Sequence, residues 1–201
     1  MKIKGIRFRL SFLFALTVAF LIGSGAGESF FITIISALLH EAAHLFCLIS
    51  YDAPPTEIII GAAGFRMTKS SKLLSYRQEI VTSLAGVVVN FGIAALMFLL
   101  YIYTGRDERL LMPVYANLGL GIINILPIEP LDGGKALYFY LCHRTTEAAA
   151  RRITERISLA FIIPLFFASF FILIKSGYNL TLLCVTIYLG ISLISRANNN
   201  R

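Results

Sequence analysis

The chain has 201 residues, of which 57% are hydrophobic and only 14% are charged. Its mean hydropathy of +0.78 lies far from the balance of a soluble globular domain and predicts a membrane protein with several spans. The net charge of +7 does not indicate a nucleic-acid-binding protein, because the basic residues lie between apolar runs and form no dense patch. The three cysteines show no pairing pattern, so no disulfide framework is predicted.

The N-terminal segment has a basic start at residues 2–9, an apolar run at residues 10–22, and then small residues up to Gly27. This order is also typical of a cleaved signal peptide, which stays open as the alternative. Because another apolar run follows at once, we interpret residues 10–22 as a first membrane helix with an antiparallel neighbour.

Five further apolar runs are near the length that crosses about 30 Å of hydrocarbon. They comprise residues 29–50, 80–103, 110–126, 157–174 and 180–195. The predicted fold is therefore an all-α polytopic membrane protein with about six transmembrane helices. With the N-terminus inside, fifteen of the 18 Lys and Arg residues fall on the cytoplasmic side, which predicts that both termini are cytoplasmic.

The second run contains the motif His40-Glu41-Ala42-Ala43-His44. Since a helix turns about 100° per residue, histidines four apart project from one face and can bind one metal ion. Glu41 is rotated from that direction and can act on a metal-bound water, as in the HExxH zinc hydrolases. Ionisable groups are costly within a membrane-length apolar run unless they serve a site, which favours a functional motif over a chance match.

The connection between the second and third runs, residues 51–78, is long for a loop without structure. Residues 57–67 combine β-branched residues with glycines, which predicts a strand-like or hairpin segment beside the active site. An open strand edge there can pair with an extended polypeptide. An interfacial loop without any role in binding is the alternative.

The third run carries two small residues, Ser83 and Gly86, and the polar Asn90. Small residues permit close approach of another helix. A buried amide needs a hydrogen-bond partner, so Asn90 is either paired with a neighbouring helix or part of the site, where contact with the substrate or the oxyanion is its candidate role. The sequence leaves both readings open.

A third metal ligand is expected at the depth of His40 and His44, which lie past the midpoint of their span towards the cytoplasmic side. Asp132 meets this expectation, because prolines end the fourth run just before it and two glycines follow it in a sharp turn. Two histidines and one carboxylate leave a fourth position for water, as in a catalytic zinc site. Cys47 lies on the histidine face, but its rise of about 10 Å from His40 favours a core role.

The two motifs together resemble those of the site-2 proteases, a family of intramembrane zinc metalloproteases. The resemblance rests on His40-Glu41-Ala42-Ala43-His44 and on the stretch from Asn124 through Pro127 and Pro130 to Asp132-Gly133-Gly134. It implies His40, His44 and Asp132 as ligands of one Zn2+ per chain and Glu41 as general base. It further implies that Asn124 helps to hold the substrate or the oxyanion, and that the segment near Gly64 binds an unwound substrate.

The resemblance extends over a core of about residues 29–142 in a single membrane-embedded domain, 1–201, without a C-terminal regulatory domain. The compact length resembles the sporulation-type bacterial branch, which matures a membrane-tethered sigma-factor precursor by regulated intramembrane proteolysis. The implied partners are a membrane-protein substrate, membrane regulatory proteins and the bilayer, without nucleic acid, in the bacterial cytoplasmic membrane. Val87 and Glu129 depart from the usual family pattern, which affects expectations about substrate binding.

Two other functions are compatible with intramembrane histidine and aspartate residues. A zinc-binding transporter also lines its path with such groups, but it has no evident need for Glu41, and the motif is not repeated in the chain. A catalytically silent relative that binds membrane partners is disfavoured by the complete set of ligands and base. The sequence therefore predicts a zinc metalloendopeptidase.

Overall fold

The structure, a computed structural model, describes residues 2–3, 6–10, 27–61, 64–68, 72–176 and 181–199. Six α-helices and four β-strands lie within these residues. The chain divides into two compact units, Met1–Ile122 and Ile123–Arg201. Each unit is described in turn.

Two long apolar helices form the main part of the first unit. Helix α1 covers Gly27–Ser50 and helix α2 covers Tyr76–Tyr103, and the two helices pack against each other. A capping box starts α2, because the Ser75 side chain accepts from the Gln78 backbone while the Gln78 side chain accepts from the Ser75 backbone. Both helices have the length and composition needed to cross a membrane.

A short 3₁₀ helix, Glu108–Leu110, follows α2 and leads into helix α3, Leu111–Ile125. Helix α3 corresponds to the predicted fourth span but has only 15 residues. Its buried Asn117 donates from Nδ2 to the Ser36 hydroxyl on α1 over 2.9 Å. This hydrogen bond joins α3 to α1. It satisfies two polar side chains whose burial without a partner would be unfavourable.

A four-stranded sheet completes the first unit, in the order β1–β2–β3–β4. Strands β3, Glu57–Gly61, and β4, Gly64–Thr68, form an antiparallel hairpin, which confirms the strand-like segment predicted from the sequence. Strand β2, Ile6–Leu10, pairs with β3 in parallel, and β1, Lys2–Ile3, pairs with β2.

The basic N-terminal segment, whose charges the sequence analysis used only to predict membrane topology, forms two strands. Apolar and basic residues alternate from Ile6 to Leu10, which is the two-residue period of a strand. The prediction of a first helix at residues 10–22 was wrong at its first residue, since Leu10 belongs to β2. Residues 11–22 of that predicted helix lie outside the described residues.

The second unit contains three helices, α4 at Asp132–Arg144, α5 at Glu147–Ser176 and α6 at Thr181–Asn199. Its hydrophobic core consists of four buried residues: Ile128, Ile162, Leu189 and Leu193. Helix α4 was not predicted, because it carries too many polar residues to read as a membrane span. Helix α5 begins ten residues before the predicted run at 157–174 and includes the three arginines ahead of it.

Three described helices are long and apolar enough to cross a membrane: the segments Ser29–Ser50, Tyr76–Tyr103 and Glu147–Ser176. Helix α6 contains a shorter apolar stretch, Leu182–Ser195. The chain is thus an integral membrane protein with a mainly helical fold. The predicted count of six spans stays a prediction, since part of the first predicted run is outside the described residues.

Candidate metal centre

The two motif histidines face each other one turn apart on α1. His40 and His44 are only 5% and 9% exposed, and their Nε2 atoms lie 3.1 Å apart. Two imidazole nitrogens on one tetrahedral zinc ion, each at about 2.0–2.1 Å, are separated by about 3.3 Å. The observed separation is close to that value, so the pair fits a zinc ion without rearrangement of α1.

The far side of the His44 ring is fixed by the backbone of α2. Its Nδ1 lies 2.6 Å from the carbonyl oxygen of Thr82. Because a carbonyl can only accept, Nδ1 carries the proton and donates it, and the lone pair of the neutral ring is left on Nε2. This hydrogen bond orients the ring and selects the tautomer that binds metal through Nε2.

The space beside the two Nε2 atoms is kept open by a glycine on α2. A Cβ atom on Gly86 would lie 2.5 Å from His40 Cε1 and 2.6 Å from the Nε2 atoms of both His40 and His44. Real Cβ atoms do not approach other atoms so closely. The sequence singled out Gly86 for close helix packing, and the structure adds that its missing side chain leaves room at both candidate ligand atoms.

Asp132 is the first residue of α4 and is 4% exposed. Its Oδ1 accepts from Lys135 Nζ over 2.9 Å. A carboxylate in the first turn of a helix is also favoured by the unpaired backbone N–H groups there. Asp132 is thus a buried carboxyl group whose position is set by its own helix, which is what an oxygen ligand of a metal requires.

The turn before Asp132 is packed too tightly for larger side chains. A Cβ atom on Gly133 would overlap the carbonyl of Ile125, and one on Gly134 would overlap the backbone of Ile128. Ser158 on α5 supports the same turn, because its hydroxyl accepts from the Glu129 N–H over 3.0 Å. The Glu129–Pro130 peptide bond is cis. The glycines predicted to allow close backbone approach are required for it.

Each of His40, His44 and Asp132 offers one candidate ligand atom; the histidines belong to the first unit and Asp132 to the second. Two imidazole nitrogens and one carboxylate oxygen are the donor set of a catalytic zinc site with an open position. Cys47, the alternative ligand, is half-buried and lines an apolar cavity of about 600 Å³ between α1 and α2. That setting agrees with the predicted core role of Cys47.

The other predicted site residues are Glu41, Asn124, Gly64 and Asn90. Glu41 is half-buried on α1, directly after the first histidine, and Asn124 is half-buried at the end of α3. Gly64 opens β4 and pairs in register with Gly61. Asn90 is fully buried on α2, and its Nδ2 lies 3.0 Å from His40 Nδ1. Its nearest polar partner is therefore a candidate metal ligand.

Comparison with known proteins agrees with the geometry. The family model described as Peptidase family M50 matches residues 104–165. A zinc metalloprotease of Methanocaldococcus jannaschii, MJ0392, is 26% identical over 97% of this chain and 59% of its own length. The solved structure of a site-2 protease from the same organism matches with a TM-score of 0.67 at 22% identity, covering 97% of this chain and 92% of that one.

The chain is thus similar to a site-2 protease in fold and, over part of its length, to Peptidase family M50 in sequence. It spans about three fifths of the length of its curated relative. The fold of a site-2 protease extends over nearly the whole chain, whereas the family match at residues 104–165 includes Asp132 but not the histidine motif. The histidine half of the site is therefore supported by its own geometry and by the longer comparisons.

Sequence reasoning missed two contacts in this chain, from the Thr82 carbonyl to His44 and from Asn90 to His40. A backbone carbonyl leaves no trace in the sequence. Asn90 did leave one, as a polar residue in an apolar run, but its partner depends on how α2 is rotated against α1.

Proposed function

We propose that this chain is an intramembrane zinc metalloprotease that hydrolyses a peptide bond in or near a membrane segment of a protein substrate. The observation that carries the proposal is the pair of Nε2 atoms 3.1 Å apart beside a glycine within a membrane-length helix. Asp132 supplies the third ligand. Comparison with the curated zinc metalloprotease supports the same assignment.

When bound, zinc supplies a Lewis acid and a water of lowered pKa. Glu41 follows the first ligand along α1, so its carboxylate acts as the general base that removes a proton from the attacking water. The same carboxyl group then delivers that proton to the amine of the leaving peptide. Thr82 and Gly86 take no part in proton transfer; the Thr82 carbonyl orients His44, and Gly86 leaves room at the ligand atoms.

A substrate in the membrane hides its carbonyl groups in its own helical hydrogen bonds, and it must be unwound before cleavage. Within the described sheet, β4 is an edge strand, and an edge strand can pair with an extended polypeptide. The hairpin that includes Gly64 is therefore proposed to hold the unwound segment. Asn124 is proposed to contact the substrate or the oxyanion from the end of α3.

The biological setting is proposed from the sequence. A single protease domain with its core at residues 29–142 lies in the bacterial cytoplasmic membrane with both termini in the cytoplasm, in line with the distribution of Lys and Arg residues. A membrane-tethered transcription-factor precursor, as in the sporulation-type branch, is the proposed substrate. Regulatory membrane proteins are further proposed partners.

The first experiment is the zinc content of the detergent-purified protein, compared among the wild type, His44→Ala and Asp132→Ala. We expect about one zinc per chain in the wild type and much less in both variants, because each removes one of three ligands. His143→Ala is the matched control, since this histidine is exposed on α4. Zinc retained in Asp132→Ala would exclude Asp132 as a ligand, and a wild type without zinc would contradict the proposed function.

A further inference from the structure

Asn90 is a fully buried amide on α2 whose described contact joins it to the ring of His40. Its Nδ2 donates to His40 Nδ1 over 3.0 Å. Within the described residues, Oδ1 of Asn90 has no hydrogen-bond partner. When this amide rotates by half a turn, it therefore loses only its hydrogen bond to His40. Its Oδ1 can then accept a hydrogen bond from the same His40 atom, Nδ1.

The hydrogen bonds of Asn90, His40 and His44 form one consistent chain of donors and acceptors without metal. Asn90 donates to Nδ1 of His40, so the His40 proton sits on Nε2 and points at Nε2 of His44 over 3.1 Å. His44 in turn donates from Nδ1 to the Thr82 carbonyl. In this arrangement the Nε2 atom of His40 carries a hydrogen and has no lone pair for a metal.

Zinc binding at Nε2 requires the other tautomer of His40, with the proton on Nδ1. That proton then needs an acceptor, because Nδ1 is buried and an unpaired N–H there is costly. The carbonyl oxygen of Asn90 is the group placed to accept it after the amide has rotated. His44 needs no such change, since the Thr82 carbonyl already holds its Nδ1 proton.

We propose that Asn90 is a positioning residue for the metal centre, which holds His40 in the zinc-binding tautomer by accepting its Nδ1 proton. Its amide has two orientations, donating to His40 without metal and accepting from it when zinc is bound. The proposal rests on the proposed function through the zinc site and replaces the direct substrate or oxyanion role predicted for Asn90. Acceptors of this kind typically contribute 10-fold to 100-fold to metal affinity.

The test compares Asn90→Asp with Asn90→Leu, two side chains close to asparagine in size. An aspartate side chain can only accept a hydrogen bond, whereas leucine can neither donate nor accept one. We expect Asn90→Leu to lower zinc affinity 10-fold to 100-fold and Asn90→Asp to bind zinc at least as tightly as the wild type. Zinc affinity is measured on detergent-purified protein by competition with a chromophoric chelator, and the visible absorption of Co2+ reports the ligand geometry.

A packing role for Asn90 predicts the opposite order, because a buried charge is worse than a buried leucine for stability alone. Asn117→Leu is the matched control, since Asn117 is equally buried but contacts Ser36 and the Pro113 carbonyl; it should keep wild-type zinc affinity. Equal affinity in Asn90→Leu and wild type would overturn this inference while leaving the zinc site intact. A wild type that binds no zinc would overturn both this inference and the proposed function.

Discussion

Gly86 is the residue at which the candidate centre has least room for change. Replacement by alanine places a Cβ atom 2.5–2.6 Å from atoms of both His40 and His44, so α1 and α2 must separate or the rings must turn away. We expect Gly86→Ala to lower zinc affinity about 100-fold, because the ligands lose their positions. Chelator competition on the purified variant measures this loss.

Gly92 provides the control for that substitution on the same helix. A Cβ atom there meets nothing within 4 Å, and alanine is a better helix former than glycine by about 1 kcal/mol. Gly92→Ala should therefore keep zinc and be no less stable than the wild type. If Gly86→Ala binds zinc as the wild type does, the metal lies elsewhere than beside the two Nε2 atoms.

Glu41 separates the chemistry from the metal site, because it is proposed as base and not as ligand. Glu41→Gln keeps the size of the side chain but removes its basicity, and we expect cleavage to fall by about 10²-fold to 10⁴-fold while zinc stays bound. The measurement is cleavage of a membrane-protein substrate in reconstituted vesicles. Glu147→Gln, at an exposed position on α5, should cleave normally; rapid cleavage by Glu41→Gln would remove Glu41 from the mechanism.

At the scale of elements, the turn before α4 depends on a hydroxyl from α5. Ser158→Ala leaves the half-buried N–H of Glu129 without the Ser158 acceptor, which costs about 1 kcal/mol of unfolding free energy. Because the same turn positions Asp132, zinc affinity should fall as well. Thermal unfolding and chelator competition measure the two effects.

Thr154→Ala is the matched control for Ser158. Both residues are fully buried on α5, but the Thr154 hydroxyl donates only to the Ala150 carbonyl of its own helix. This substitution should lower stability and leave zinc affinity unchanged. A loss of zinc affinity as large in Thr154→Ala as in Ser158→Ala would show that general destabilisation, and not the turn, is responsible.

The elements that the sequence predicted correctly are those with strong local signals. The apolar length of α1 and α2, the HExxH spacing, and the β-branched residues of the hairpin each reflect physics within a short stretch of chain. The pairing of β2 with β3 joins residues about 50 positions apart, and no local pattern specifies such a partner. Helix α4 was missed because the search for membrane-length apolar runs does not detect a mixed polar helix.

The same difference explains what could be predicted about the site. The side chains at His40, His44 and Asp132 follow from ligand chemistry and from two motifs, so the sequence could identify them. The hydrogen-bond partners of the two histidines depend on the rotation of α2 against α1. Because α2 has apolar residues on most of its faces, the sequence leaves that rotation undetermined. The sequence therefore indicated that Asn90 needs a partner but not that the partner is His40.

For the whole molecule, the strongest prediction concerns the side of the membrane on which each loop lies. In a variant with Cys47, Cys142 and Cys184 replaced by serine, an added Arg109→Cys should react with an impermeant maleimide in intact cells. Arg144→Cys in the same background should react only after permeabilisation. Both positions are exposed in the structure, and labelling of Arg144→Cys from outside would reverse the proposed orientation.

The parallel pairing of β2 with β3 adds a condition on the side of the membrane at which these two strands lie. Strands that share backbone hydrogen bonds must lie on one side of the membrane, and four residue pairs join Ile6–Leu10 to Glu57–Gly61. Whichever side holds the N-terminal strands also holds the hairpin, so an N-terminal tag reports the side from which an extended substrate would be bound.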